Sequence, residues 1–150
     1  MSKMIFINLP VADLPRSKRF YEAIGFTNNP QFTNDQAAAM VWSDSIYVML
    51  LTHDFWKTFT DKAIVDPKTS AQMALAISRD SRAEVDSIVE AAAGAGGRGD
   101  NSPPQDHGFM YQRSFEDPDG HNWEPLWMDP AVANGEQPVD HVSETVKQEA

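Results

Sequence analysis

Cysteine is absent from this chain, which excludes disulfides, thiolate metal sites and cysteine nucleophiles. Long apolar runs are absent too: none approaches the ~18 residues needed to span a bilayer. The opening Met1-Ser2-Lys3-Met4 leads straight into a strand-like segment. That leaves no length for a signal peptide, and a cytoplasmic protein is expected. Positive charge is scarce, with 12 Lys and Arg against 22 Asp and Glu, a net charge of -10. Nucleic-acid binding needs cations to neutralise phosphates, so that class is disfavoured, and no membrane partner is expected either. Part of the acidity is local: Asp129, Glu136, Asp140, Glu144 and Glu149 follow Met128 against Lys147 alone.

What is present suits a soluble globular chain, 41% apolar and 23% charged. Its 150 residues can form one domain, or two small units sharing a core. The most informative stretch is Asp117-Pro118-Asp119-Gly120, set between apolar, aromatic-rich runs. Pro118 presets φ, the two aspartates can bond nearby amides, and Gly120 tolerates positive φ. The flanks, 109–115 and 121–128, then read as antiparallel strands of a hairpin. Glu124 is the one carboxylate within the second of these strands. It belongs either on a wet face or in a pocket, because a core-facing carboxylate is costly.

From the start, Met4 to Val11 is β-prone. Asp13 is a plausible helix N-cap and Pro15 suits the first turn. Leu14, Ser17, Phe20, Tyr21 and Ile24 share one helical face, and Gly25 stops the helix. Residues 27–35 read as a loop or short irregular strand. Ala37 to Ser43 and Ile46 to Thr52 form a second hairpin. Phe55 to Pro67, with Phe55, Trp56 and Phe59, is a connection: a short helix or an aromatic loop over a pocket. Ala71 to Ser78 is strand-like, and Ser81-Arg82-Ala83-Glu84 fits a capping box for a helix with Val85, Ile88, Val89 and Ala92 on its apolar face. Gly94, Gly96 and Gly97 end that helix. This cluster follows a helix and lacks the preceding strand of a dinucleotide loop. Asn101 to His107 is a loop. After Met128 the chain reads as a polar acidic tail, mobile or reaching a partner subunit.

The two halves share an order of strand, helix, irregular segment and hairpin, at a period of roughly 65 to 70 residues. The expected fold is α+β: tandem βαβββ units in one domain at 1–128, unit one about 3–53, linker about 54–69, unit two about 70–128. Pairing the free sheet faces would enclose a cavity for a small ligand.

Val11-Ala12-Asp13-Leu14-Pro15-Arg16-Ser17-Lys18-Arg19-Phe20-Tyr21, with Gly25-Phe26, and Asp117 to Glu124 together resemble the vicinal oxygen chelate superfamily. That group includes glyoxalase I, extradiol dioxygenases, fosfomycin-resistance and bleomycin-binding proteins. The resemblance covers 4 to about 128 and implies a divalent metal held by the first and last strands of each unit. Carried over position by position, the ligand sites fall on Phe6, Leu50, Gln72 and Glu124. Only Gln72 and Glu124 can donate, whereas a catalytic zinc normally takes three protein ligands. His53 could be recruited; His107, His121 and His141 lie in a loop, at a turn and in the tail. No cofactor is therefore expected; one, if present, would be a divalent Zn, Ni, Mn or Fe.

Other candidates follow from position. Trp56 is the best lid residue, because it lies in the connection. Arg113, beside Glu124, pairs either with a substrate anion or with Glu116, and Glu116 is favoured. Phe6 and Leu50 are expected as pocket wall. The expected function is a homodimeric, glyoxalase-related protein that binds a small molecule between its sheets without metal. A drug-sequestering role with an acidic pocket for cationic ligands would belong here. The alternative is a metal-dependent lyase or dioxygenase of the glyoxalase I type, with Glu124 as ligand or general base.

Overall fold

The computed structural model describes residues 3–136. Unit one runs β1 (Ile5–Val11), α1 (Leu14–Ala23), β2 (Thr27–Asn29), β3 (Ala37–Val41) and β4 (Ile46–Thr52). Its sheet has the order β1-β4-β3-β2, with β1 parallel to β4 and the remaining pairs antiparallel. The Asp13 side chain caps α1 by accepting from the Arg16 amide, and Gly25 leaves the helix at a φ of +114°. Glycine tolerates that conformation without steric conflict.

A four-residue helix, α2 (His53–Trp56), begins the connection. Unit two holds β5 (Ala74–Ser78), α3 (Arg82–Gly94), β6 (Arg98–Gly99), β7 (Gln105–Asp106), β8 (Met110–Gln112), β9 (Phe115–Glu116) and β10 (Asn122–Met128). Ser81 caps α3, and Glu84 reaches back to the Asp80 amide. β5 pairs parallel with one edge of β10, and β8 and β9 pair antiparallel with the other. β6 and β7 flank β9 and β8, so the unit repeats the strand order of the first.

Several details differ from the sequence reading. The strand expected at Ala71 to Ser78 begins at Ala74, so Gln72 lies in the segment before it. The first arm of the last hairpin is two strands, because Pro125 has no amide hydrogen to return the bond it accepts from Arg113. The loop at 101–107 contains β7. Past Met128, Asp129 caps the short α4 (Pro130–Ala133), which buries Val132. The rest of the expected tail, 137–150, lies outside the described residues.

A single core joins the units. Phe20 and Tyr21 of α1 pack against Phe115 and Trp123 of unit two, with Ile88, Val89 and Ala92 of α3 in the same cluster. The helix-covered faces thus meet each other. The opposite faces stay open: Phe6 is 55% exposed, and Ala74, Ala76 and Ser78 are exposed as well. The expectation that free faces pair to enclose a cavity is therefore corrected.

Candidate functional site: a cavity at the seam of the two units

The Asp117–Gly120 turn is the joint between the units. Asp117 Oδ1 accepts the amides of Asp119, Gly120 and His121 at 2.8–3.0 Å, which closes the turn on itself. Asp117 Oδ2 accepts the Tyr21 hydroxyl at 2.6 Å, and Trp123 Nε1 donates to that same hydroxyl at 3.1 Å. Asp119 reaches the other end of α1. It accepts from the Ala12 amide at 2.8 Å and from Ser17 Oγ at 3.2 Å, and pairs with Arg16 at 3.5 Å. Burial pushes the Asp117 carboxyl above its ordinary range and the Tyr21 hydroxyl well above its own. The residues that stand out most in the sequence are each other's partners.

Beside this joint lies a cavity of about 590 Å³. Asn8, Leu9 and Pro10 of β1 form one wall, and Gly120, His121 and Asn122 form another. The connection and the residues before β5 line the remaining side, with Trp56, Lys62, Ile64, Val65, Gln72 and Met73. A smaller space of about 310 Å³ shares Asn8, Trp56 and Thr60, and adds Leu51 and Phe59. One contact ties the two walls to each other, and one glycine admits the connection beside them. His121 Nε2 lies 2.8 Å from the Pro10 carbonyl oxygen, which can only accept, so this nitrogen carries the proton. Gly120, at a φ of +109°, lets the connection pass closely: an added Cβ would sit 2.9 Å from both Lys68 N and Pro67 C.

The structure sorts the expected site residues into two groups. Gln72 and Trp56 line the cavity. Phe6, Leu50, Arg113 and Glu124 do not. Phe6 is stacked on Tyr47, ring centroids 4.7 Å apart, on the open face. Leu50 lies in the core, because alternation along β4 turns it toward α1 with Val48. Arg113 also points to the helix side. It pairs with Asp100 and, at 2.9 Å, with Asp86, while Glu116 pairs with Arg98 at 3.3 Å. The favoured Arg113–Glu116 pair is thus corrected: the two are three residues apart on one arm and face opposite sides of the sheet. Tyr111 also donates to Asp86 at 2.7 Å, and this bond, with Arg113, holds the Asp86 carboxyl below its ordinary range.

Glu124 sits half-buried on the open face and accepts from Gln112 Nε2 at 3.0 Å. Opposite it on β5 stands Ala76, four residues beyond Gln72. The family's metal therefore does not fit these residues. Phe6 and Leu50 offer carbon only, Gln72 and Glu124 are not brought together, and no three His, Asp or Glu side chains converge among the described residues.

Asn8, Lys62, His121 and Asn122 were not identified as cavity residues from sequence. Asn8 carried a signal, since it shares a strand face with Phe6. So did His121 and Asn122, which directly follow the turn expected in the last hairpin. Nothing local marked Lys62.

A family model described as the Glyoxalase/Bleomycin resistance protein/Dioxygenase superfamily matches residues 3–124. A hypothetical protein from S. aureus is 26% identical, with a TM-score of 0.70, over 85% of this chain and 95% of that one. A glyoxalase-related enzyme from Fulvimarina pelagi is 24% identical, with a TM-score of 0.70, over 85% of this chain and 88% of that one. A bleomycin resistance determinant encoded on the transposon Tn5 shares the fold at 17% identity, with a TM-score of 0.60, over 85% and 99% of the two chains. No curated protein matched the sequence.

Proposed function

The chain belongs to the glyoxalase/bleomycin resistance protein/dioxygenase superfamily, and we propose that it is a member that binds a small, partly apolar molecule in the seam cavity without a metal. One observation carries this reading: a cavity of about 590 Å³ lined by both units and by the connection between them. That volume lies within the range of small-molecule sites. A purely structural chain would have this space filled.

The wall chemistry supports binding. Trp56, Ile64, Val65, Met73 and Leu75 supply apolar area, while Asn8, Gln72 and Asn122 supply amides that can orient a ligand. The donor set argues against the alternative, a metal-dependent lyase or dioxygenase using Glu124. Glu124 is bonded to Gln112 and stands opposite an alanine.

The test is a ligand screen read by thermal stabilisation and tryptophan fluorescence, run with and without chelator. Hits should persist in chelator and lose their fluorescence response in Trp56→Phe. Hits that vanish with chelator and return with one divalent metal would favour the metal-dependent alternative.

The reading includes a homodimer. Ile5 and Phe6 are exposed on β1, whose outer edge is unpaired among the described residues. Such an edge favours association with a second strand. Sedimentation should report two chains, and a monomer across the micromolar range would remove this part.

A further inference from the structure

We infer that the cavity selects an amphipathic organic anion, an aromatic or branched-chain carboxylate, and not a cation. This rests on the reading of the cavity as a ligand site. The chain carries a net charge of -10, so its overall field attracts cations by default. Yet among the described residues no Asp or Glu lines the cavity; its ionisable groups are Lys62 and His121.

The carboxylates that neighbour its lining residues in sequence do not line it. Asp117 and Asp119 are turned into the joint, toward α1 and the turn amides. Asp66 accepts from the Lys68 amide within its own turn. Asp61 lies beside Lys62 in sequence but does not line the cavity. Lys62 is exposed, and no ion pair engages it among the described residues.

The ionisable side chains Lys62 and His121, with the amides of Gln72 and Asn122, lie in the main cavity beside the apolar Ile64, Val65, Met73 and Leu75. The smaller extension carries no ionisable group and is lined by Leu51, Trp56 and Phe59 with Asn8 and Thr60. A carboxylate placed among the ammonium and the amide donors leaves a ring or branched chain to lie along Trp56 toward Phe59. Side-chain amides and an ammonium can all donate to an anion. A cation would find acceptors but no charge to pair with.

The experiment uses two probes of one shape and opposite charge, naphthoate and naphthylmethylammonium, titrated into the full chain at low salt. Naphthoate should bind on the order of tenfold more tightly, and the preference should shrink as salt rises. Lys62→Gln should weaken naphthoate about fivefold, the size of one exposed charge interaction. Lys62→Glu should erase or invert the preference.

Equal or tighter binding of the cation overturns the inference while leaving the cavity a ligand site. An anion preference untouched by Lys62→Glu overturns the assignment as well, since the selectivity would then arise elsewhere. Failure of both probes to bind would instead count against the cavity as a ligand site.

Discussion

Two regions only a few residues apart along the chain are built to opposite plans. At the Asp117–Gly120 joint every carboxylate oxygen has a named partner, and both aspartates are buried against α1. At Asn122 and Glu124, and across the cavity wall at Asn8 and Gln72, polar groups face open space or make one side-chain bond. The joint is saturated and the wall is not. A saturated buried network fixes how the units pack, because removing one member strands the others. An unsaturated wall can accept a ligand. The joint thus fixes the packing of the units, and on the proposed reading the choice of ligand rests with the wall.

The contrast can be broken most forcefully at the joint. Asp117→Ala takes the acceptor from the Tyr21 hydroxyl and from the Asp119 and His121 amides, and should cost about 3 kcal/mol or more in a denaturant titration. A loss below about 1 kcal/mol would mean that the joint does not organise the packing. Gly120→Ala meets both a positive φ and a Cβ with backbone 2.9 Å away. It should cost about 2 kcal/mol and weaken ligand binding, because the connection must shift.

On the wall the order of effects reverses. Trp56→Ala should reduce affinity for any ligand found by at least about tenfold, with stability changed by less than about 1 kcal/mol. A variant destabilised by more than that, with affinity intact in its folded fraction, would make Trp56 a structural residue.

The joint also predicts a pH dependence. Burial raises the Asp117 carboxyl, so the native chain keeps a proton that the unfolded chain has lost. Its contribution lets stability fall as pH rises from about 4, the unfolded value, through the raised native value. Above that window the full cost is in place, and below it the cost is absent. Asp117→Asn should remove this component of the slope in urea titrations between pH 4 and pH 8; an unchanged slope would place it in other groups.

The smallest effect is expected at Glu124. Glu124→Gln should change stability by less than about 1 kcal/mol and ligand affinity by less than about threefold.

Local chemistry made much of the fold legible. The Asp13 cap, the Gly25 stop, the Ser81 box and the Asp117–Gly120 turn each rest on residues within a few positions of one another, and each stands where its residues placed it. The site was less legible for three physical reasons. A strand shows its faces alternately, so one position of misalignment sent Leu50 to the core. The partners of Arg113 are distant in sequence, Asp100 at 13 residues and Asp86 at 27. Much of the cavity wall comes from a connection with no periodic pattern, which passes close to Gly120, a residue distant in sequence.

Metal content tests the central claim most directly. Protein purified without chelator or a histidine tag would be examined by elemental analysis, then heated with zinc, nickel, manganese or iron(II). Metal-independent binding at the seam predicts no stoichiometric metal and no thermal stabilisation by any of the four. A stoichiometric metal lost in Glu124→Gln would contradict it, and would place the working site on the open sheet face.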